Sequence, residues 1–277
     1  MPMTVQFRLS DNADPEERLE EAALWKAIHD EYGDEAVAIR NEGDPDLPTF
    51  GRSLARRMEP HGRNPVSENL PYWRDPAFLE HTHRFFRVCT FDEAKSEVSK
   101  LHVSGRGAFL KSVRHKHAIF NIPAGTTFLE AMGDMAYSFI DGGPQLMVQE
   151  LVEVRYEHRF FVIDRTVVTE SPVQWALTPL DFPLPSGTVF ATPNSTLAEM
   201  KPDIADALRA VAKDIASKME YPHAAVDCGL IDGEPGAIEL NPMCLGQVGL
   251  YAADVRALAR ASKDLLRDFV AQPNPVM

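Results

Sequence analysis

Residues 223–242, HAAVDCGLIDGEPGAIELNP, constrain the fold more than any other stretch of the chain. Apolar runs flank Asp232-Gly233-Glu234-Pro235-Gly236, which is strong turn chemistry, so the segment reads as a β-hairpin. Side chains alternate between the faces of a strand. Glu239 and Asn241 therefore share one face, while Ile238 and Leu240 point into a core. A turn symmetric about Gly233 sets position 227 opposite position 239, with the two carboxylates roughly 5 Å apart between Cβ atoms. Like charges opposed in this way are destabilising unless a cation lies between them. Asp227, Glu239 and Asn241 supply oxygen ligands only, which suits Mg²⁺ shared with substrate phosphates. The plain alternative is a surface hairpin whose acids are solvated.

Lys111 ends the apolar run AFLKSV, and a strand-borne lysine beside a loop holds phosphate oxygens as a point charge. An edge-strand lysine with no ligand is the simpler account of that residue alone. The basic tetrad Arg114-His115-Lys116-His117 follows directly, against a formal net charge of −13 for the whole chain. Local positive charge against the global sign is what an anionic ligand requires, although a solvated turn has the same composition. Further on, LMVQELVEVRYEHRFFVID ends one strand at Gln149-Glu150-Leu151-Val152 and opens the next at Glu157-His158-Arg159. Arg159 precedes an apolar run, so its guanidinium can reach an anion in a cleft; the alternative is an outer-face Glu–Arg pair.

The rest of the chain reads as α+β. Positions 15 to 32 have helical spacing, with Leu19, Ala22, Ala23, Trp25, Ile28 and Tyr32 as the apolar set and Gly33 as the stop. A strand is expected at 37–40, and 41–76 reads as loop. Strand RFFRVC (84–89) is followed by Thr90 and Glu93 in capping-box spacing, opening a helix to about 101. A helix is also expected over 126–140, and a turn at Asp164-Arg165. Pro202 starts an amphipathic helix with Ile204, Leu208, Val211, Ile215 and Met219 on one face, and a last helix runs from about 251 to 270.

The negative charge disfavours general nucleic-acid binding. No apolar run approaches the ~20 residues of a membrane span, and the N-terminus is unlike a secretory signal. Three cysteines without a CxxC fit free thiols in a reducing cytoplasm, the expected location. The histidines form no metal motif near Asp227 and Glu239, which counts against a metal-dependent hydrolase. His223 reads as structural, and Cys244 as a small packing residue.

In order, a lysine strand, a strand ending Q-E-L-V, a strand with E-x-R-F-F-V-I-D and a final D…E-L-N-P resemble the ATP-grasp superfamily over about residues 84 to 260. The resemblance implies two α/β lobes whose antiparallel sheets clamp a nucleotide cleft. It divides the chain into a remodelled N-terminal region (1–83), a small lobe with Lys111 and the hinge (84–154) and a large lobe with the metal ligands (155–277). It implies ATP and Mg²⁺ (or Mn²⁺) as cofactors. Lys111 is then similar to the lysine on the α- and β-phosphates, with Lys116 adding charge over them. Residues 149–152 resemble the hinge, where the backbone of Leu151 or Val152 meets the adenine edge. The ribose acid is Glu150, Glu153 or Glu157. Arg159 resembles an arginine aimed at the transferred phosphate, and Asp227, Glu239 and Asn241 match the metal ligands. Gly246, Gln247 and Gly249 lie where the family places acceptor contacts. Two features depart from the family. The loop 112–118 (SVRHKHA) lacks glycine, and the N-terminal region is short.

The implied reaction is ligation: attack of a carboxylate on the γ-phosphate, then capture of the acylphosphate by an amine. The partners are small-molecule or peptide carboxylates and amines; a homodimer is left open. A kinase-like phosphotransferase and a non-catalytic nucleotide-binding module are the competing readings.

Overall fold

The computed structural model describes residues 4–9, 14–40, 43–44, 47, 49–50, 72–113, 119–139, 145–184, 189–191, 197–199, 202–242 and 249–271. Two four-stranded antiparallel sheets dominate. The larger has the order β13-β12-β8-β9, built from β8 (Val154–Ile163), β9 (Thr166–Pro172), β12 (Ala224–Ile231) and β13 (Glu234–Pro242). The smaller has the order β4-β7-β5-β6, from β4 (Phe86–Cys89), β5 (Ala108–Ser112), β6 (Ile119–Ile122) and β7 (Leu146–Glu150).

Each sheet buries one face against helices and turns part of the other toward its counterpart. In the large sheet Phe160, Val162, Val226, Cys228 and Leu240 pack with Leu208, Ala212 and Ile215 of α5 (Pro202–Lys218). Leu208, Ile215 and Met219 are fully buried, as the spacing from Pro202 predicts. In the small sheet Ala108, Leu110, Leu146 and Val148 pack with Ala94, Val98 and Leu101 of α3 (Phe91–Val103) and Phe128 of α4 (Phe128–Met132). The expected Thr90–Glu93 capping box opens α3. The helix expected over 126–140 is a single α-turn, α4, continued by 3₁₀ turns over Gly133–Phe139, because Gly133 adopts φ 52° and closes it.

The N-terminal region is more ordered than its polar composition suggests. Strands β1 (Val5–Arg8), β2 (Ala36–Ile39) and β3 (Thr49–Phe50) form a parallel sheet of order β2-β1-β3, crossed over by α1 (Pro15–Tyr32). This corrects the loop expected at 49–50, and Tyr72–Arg74 is likewise a 3₁₀ turn followed by α2 (Pro76–Glu80). Four-residue strands carry too short a pattern to stand out. Val5, Phe7, Leu24 and Ile28 join Phe161, Ala225 and Leu258 of the large sheet and α6 (Val255–Ala271) in one core. The apolar face expected for α1 is also corrected. Leu19 is exposed while Glu20 and Glu21 are buried, because Glu20 accepts the backbone N–H groups of Leu250 and Tyr251 at 3.1 and 2.9 Å.

Among the described residues no helix is long and apolar enough to cross a membrane. Cys89 and Cys228 are free and buried, while Cys244 lies outside those residues. The remaining strands, β10 (Val189–Ala191) and β11 (Leu197–Glu199), form a separate hairpin.

Candidate active site

The β12–β13 hairpin delivers the expected register by an unexpected route. Its turn is two residues, with Ile231 paired to Glu234 around Asp232-Gly233, and not symmetric about Gly233. A bulge between Asp227 and Cys228 then inserts one residue on β13, so that Cys228 pairs with Ala237 but Asp227 pairs with Glu239. The extra residue lets Ala237 join the α5 core while Glu239, two positions on, faces the other way beside Asp227.

Arg159 on β8 flanks Asp227 from the opposite side. Its Nε donates to Asp227 Oδ1 at 2.6 Å and its Nη2 to Oδ2 at 2.7 Å, a bidentate pair that is almost fully buried. Asn241 Nδ2 donates to Asp227 Oδ2 at 2.9 Å, and Arg159 Nη1 donates to the Gly249 carbonyl at 3.1 Å. The guanidinium lies 5.4 Å from the ring centre of Tyr251, which holds a left-handed φ of 50°. Burial alone would lower the Arg159 pKa, but Asp227 outweighs it and holds the group raised and charged. Arg159 thus spends its fork on Asp227, where the resemblance aims it at a phosphate.

The small sheet closes the site from the other side. Lys111 on β5 sits on the face away from α3, and its Nζ lies 3.0 Å from Glu239 Oε1. The same ammonium lies 5.4 Å from the ring centre of Tyr72. Burial, reinforced by Glu239, raises the Tyr72 pKa, so the phenol stays neutral. Buried Lys111, Arg159 and Asp227 and the partly exposed Glu239 therefore form an array of alternating charge spanning both sheets.

Arg84 locks that arrangement. Its Nε donates to Gln149 Oε1 on β7 at 2.9 Å, and Nη1 and Nη2 donate to the Ala237 and Ile238 carbonyls at the bulge, each at 2.9 Å. Nη1 also reaches the Thr82 carbonyl at 3.0 Å. Desolvation lowers the Arg84 pKa to about 10. Next to Gln149, Glu150 pairs with Arg106 at 2.8 Å and Glu153 with Arg155 at 2.7 Å. The Leu151 amide donates to the Gly107 carbonyl at 3.0 Å. Val152 N–H has no hydrogen-bond partner among the described residues.

Comparisons with solved structures match the fold along nearly the whole chain. D-cycloserine synthetase DcsG superposes with a TM-score of 0.61 at 17% identity, over 95% of this chain and 99% of that one. A RimK-domain ATP-grasp protein from Sphaerobacter thermophilus gives 0.56 at 15% identity, over 94% and 98%. D-alanine–D-alanine ligase from Bacillus anthracis gives 0.55 at 12% identity, over 96% and 98%. The fold is ATP-grasp. No protein-family model and no curated sequence matches the chain.

Within the ATP-grasp fold, the structure brings Lys111, Arg159, Asp227, Glu239 and Asn241 together. Gln149, Glu150, Leu151 and Val152 lie along the junction between the sheets, and Glu157 lies two residues before Arg159 on β8. Lys116, Gly246 and Gln247 fall outside the described residues. His223 is structural: its Nδ1 accepts the Asp164 amide at 3.0 Å. A second acidic group, Glu80, His81 and Asp214, has ligand atoms within 4.8 Å of one another, but Lys218 Nζ already lies 2.7 Å from Asp214. Sequence reasoning missed Arg84, Tyr72 and Glu20. Glu20 alone left a signal, standing at helical spacing with the buried Leu24 and Ile28.

Proposed function

We propose that this chain is an ATP- and Mg²⁺-dependent ligase that activates a carboxylate as an acylphosphate for capture by an amine. One observation carries the reading: Asp227, Glu239 and Asn241 converge on one face, with the Lys111 ammonium 3.0 Å from Glu239 across the junction of the sheets. The set of two carboxylates and an amide is an all-oxygen donor set of the kind Mg²⁺ takes alongside substrate phosphates. When bound, the metal would neutralise charge as the bond to ADP loosens.

The residues of the chain divide the remaining work. Lys111 exchanges Glu239 for phosphate oxygens, and Lys116 adds positive charge for them. Arg159 keeps Asp227 ionised and fixed in orientation, and Tyr251 over its guanidinium borders the place where an acyl group would lie. The Val152 N–H, without a partner among the described residues and next to the hinge residues Gln149, Glu150 and Leu151, is suited to an adenine ring edge. The Glu150 and Glu153 side chains are engaged by Arg106 and Arg155, and the acid for the ribose region is one of Glu150, Glu153 and Glu157.

Incubation with ATP, Mg²⁺, candidate carboxylic acids and hydroxylamine tests the reaction. Hydroxamate formed with stoichiometric ADP and phosphate supports the ligase; a stable phosphorylated product in its place would identify a phosphotransferase. No ADP release with any acid, together with tight ATP binding, would leave a binding module.

A further inference from the structure

Glu20 is a carboxylate on the apolar stripe of α1. It stands one and two turns before Leu24 and Ile28, both fully buried, and is itself only 4% exposed. A carboxylate in that position is costly unless strong donors meet it. Glu20 finds them far along the chain, where the Leu250 and Tyr251 amides donate to Oε1 at 3.1 and 2.9 Å. Bonds to a charged acceptor are stronger than neutral ones, so this grip on the backbone is firm.

The gripped segment lies against Arg159. Ser171 on β9 pairs with Arg159 in register, and its Oγ accepts the Ala252 amide at 2.9 Å. The Asp254 amide donates to Thr169 Oγ1 of the same strand at 3.0 Å. Glu20 fastens the beginning of this segment from α1. The Gly249 carbonyl and the Leu250 amide belong to one planar peptide and point in opposite directions. Holding that N–H therefore fixes the aim of the carbonyl, which accepts Arg159 Nη1 at 3.1 Å. The second bond, to the Tyr251 amide, holds the residue whose ring centre lies 5.4 Å from the guanidinium. Glycine at 249 leaves room for that ring, since a Cβ there would lie 2.8 Å from Tyr251 Cζ.

We propose that Glu20 is a positioning residue for Arg159, acting through the Gly249–Leu250 peptide and Tyr251. It touches no substrate. The N-terminal region thus supplies part of the orientation of the buried arginine of the cleft. This assignment rests on the ligase reading of that cleft.

The full chain is compared with Glu20→Ala, Glu20→Gln and Gly249→Ala in steady-state hydroxamate formation. Glu20→Ala should lower kcat by roughly 30-fold and leave the KM for ATP within about twofold. Glu20→Gln, whose amide oxygen can accept the same two N–H groups, should recover most of that loss. Gly249→Ala displaces the Tyr251 ring without touching Glu20 and should also lower kcat. In an Arg159→Lys background, Glu20→Ala should add little further loss, because both changes act on one group. Should Glu20→Ala fail to fold, Glu20→Asp, charged but one methylene short of the amides, decides in its place. By nuclear magnetic resonance of the free protein, the Arg159 Nε–H signal should shift or broaden in Glu20→Ala and persist in Glu20→Gln. Parental kcat in Glu20→Ala or Gly249→Ala, equal losses in Glu20→Ala and Glu20→Gln, additive losses with Arg159→Lys, or an unmoved Nε–H signal would overturn the assignment. Absence of hydroxamate from the parent chain would instead sink the ligase reading, and the resonance measurement still decides the role of Glu20.

Discussion

Lys111 and Glu239 meet at 3.0 Å with little of either side chain exposed, and Arg159 and Asp227 meet beside them almost fully buried. Each charge is tolerable only because its partner is present. Lys111→Met or Glu239→Gln alone should therefore cost on the order of 3 kcal/mol in urea denaturation, whereas the double variant should recover much of that loss. Additive losses would show that the pair is not coupled. Arg159→Lys keeps the charge but loses the fork on Asp227. It should lower kcat for hydroxamate formation by roughly 100-fold with little change in the KM for ATP, measured by steady-state kinetics. Asp227, Glu239 and Asn241 stood out in the sequence as oxygen donors at strand spacing beside a turn, but setting Asp227 opposite Glu239 also took a bulge that the alternation does not reveal. Arg84 and Tyr72 did not stand out. Three of the four acceptors of Arg84 are backbone carbonyls, which have no residue signature, and Tyr72 meets Lys111 only after the chain has folded.

Elements hold those residues in place through a few long-range contacts. Arg84 joins the loop before β4 to β7 and to the bulge of β13, so it fixes the distance between the sheets. A lysine cannot satisfy these acceptors together. Arg84→Lys should destabilise the protein by about 2–4 kcal/mol in chemical denaturation and weaken Mg·ATP binding measured by titration. The register of β12 and β13 came out as expected for a partly different reason, since a shorter turn and a bulge compensate each other. Bulges leave no mark in an alternating sequence. On the other face of the large sheet, Arg209 of α5 forks onto Glu170 of β9 at 2.7 and 2.5 Å. Burial pushes the Glu170 carboxyl up, but His158 and Arg209 outweigh it and hold it at about 2, against an ordinary value of 4.5. His158 Nε2 stands 3.7 Å away, too long for a hydrogen bond, so we assign most of the effect to Arg209. The folded pKa lies below the unfolded one. The stabilisation, about 3 kcal/mol, is thus fully present above pH 4.5 and is lost as the pH falls toward 2. Glu170→Gln should be less stable than the parent near neutral pH, with the gap closing across that window in acid titrations followed by circular dichroism.

At the scale of the whole molecule, the candidate site exists only where two separately built sheets meet. Cations come from β5 and β8 and carboxylates from β12 and β13, and each cation already neutralises a carboxylate. A nucleotide that takes Lys111 without a metal removes that ammonium from Glu239; a metal without nucleotide displaces Lys111 from its partner. ADP and Mg²⁺ together should therefore raise Tm by clearly more than the sum of their separate shifts. Additive shifts in differential scanning fluorimetry would show that the charges do not exchange partners. The overall architecture was legible from strand and helix periodicity over residues 84 to 260. The parallel N-terminal sheet was not, because its short strands acquire their meaning only from the core they share with α1 and α6. The polypeptide passes between the two large sheets at neighbouring points, 84–85 and 151–153, tied together where the Glu150 amide meets the Phe85 carbonyl at 3.1 Å. Leu151 is anchored to Gly107 on one side and Glu153 to Asp232 on the other, which isolates Val152. Two adjacent crossings define a line, as on a door, and an opening of the gap between the sheets is expected to swing about it rather than slide.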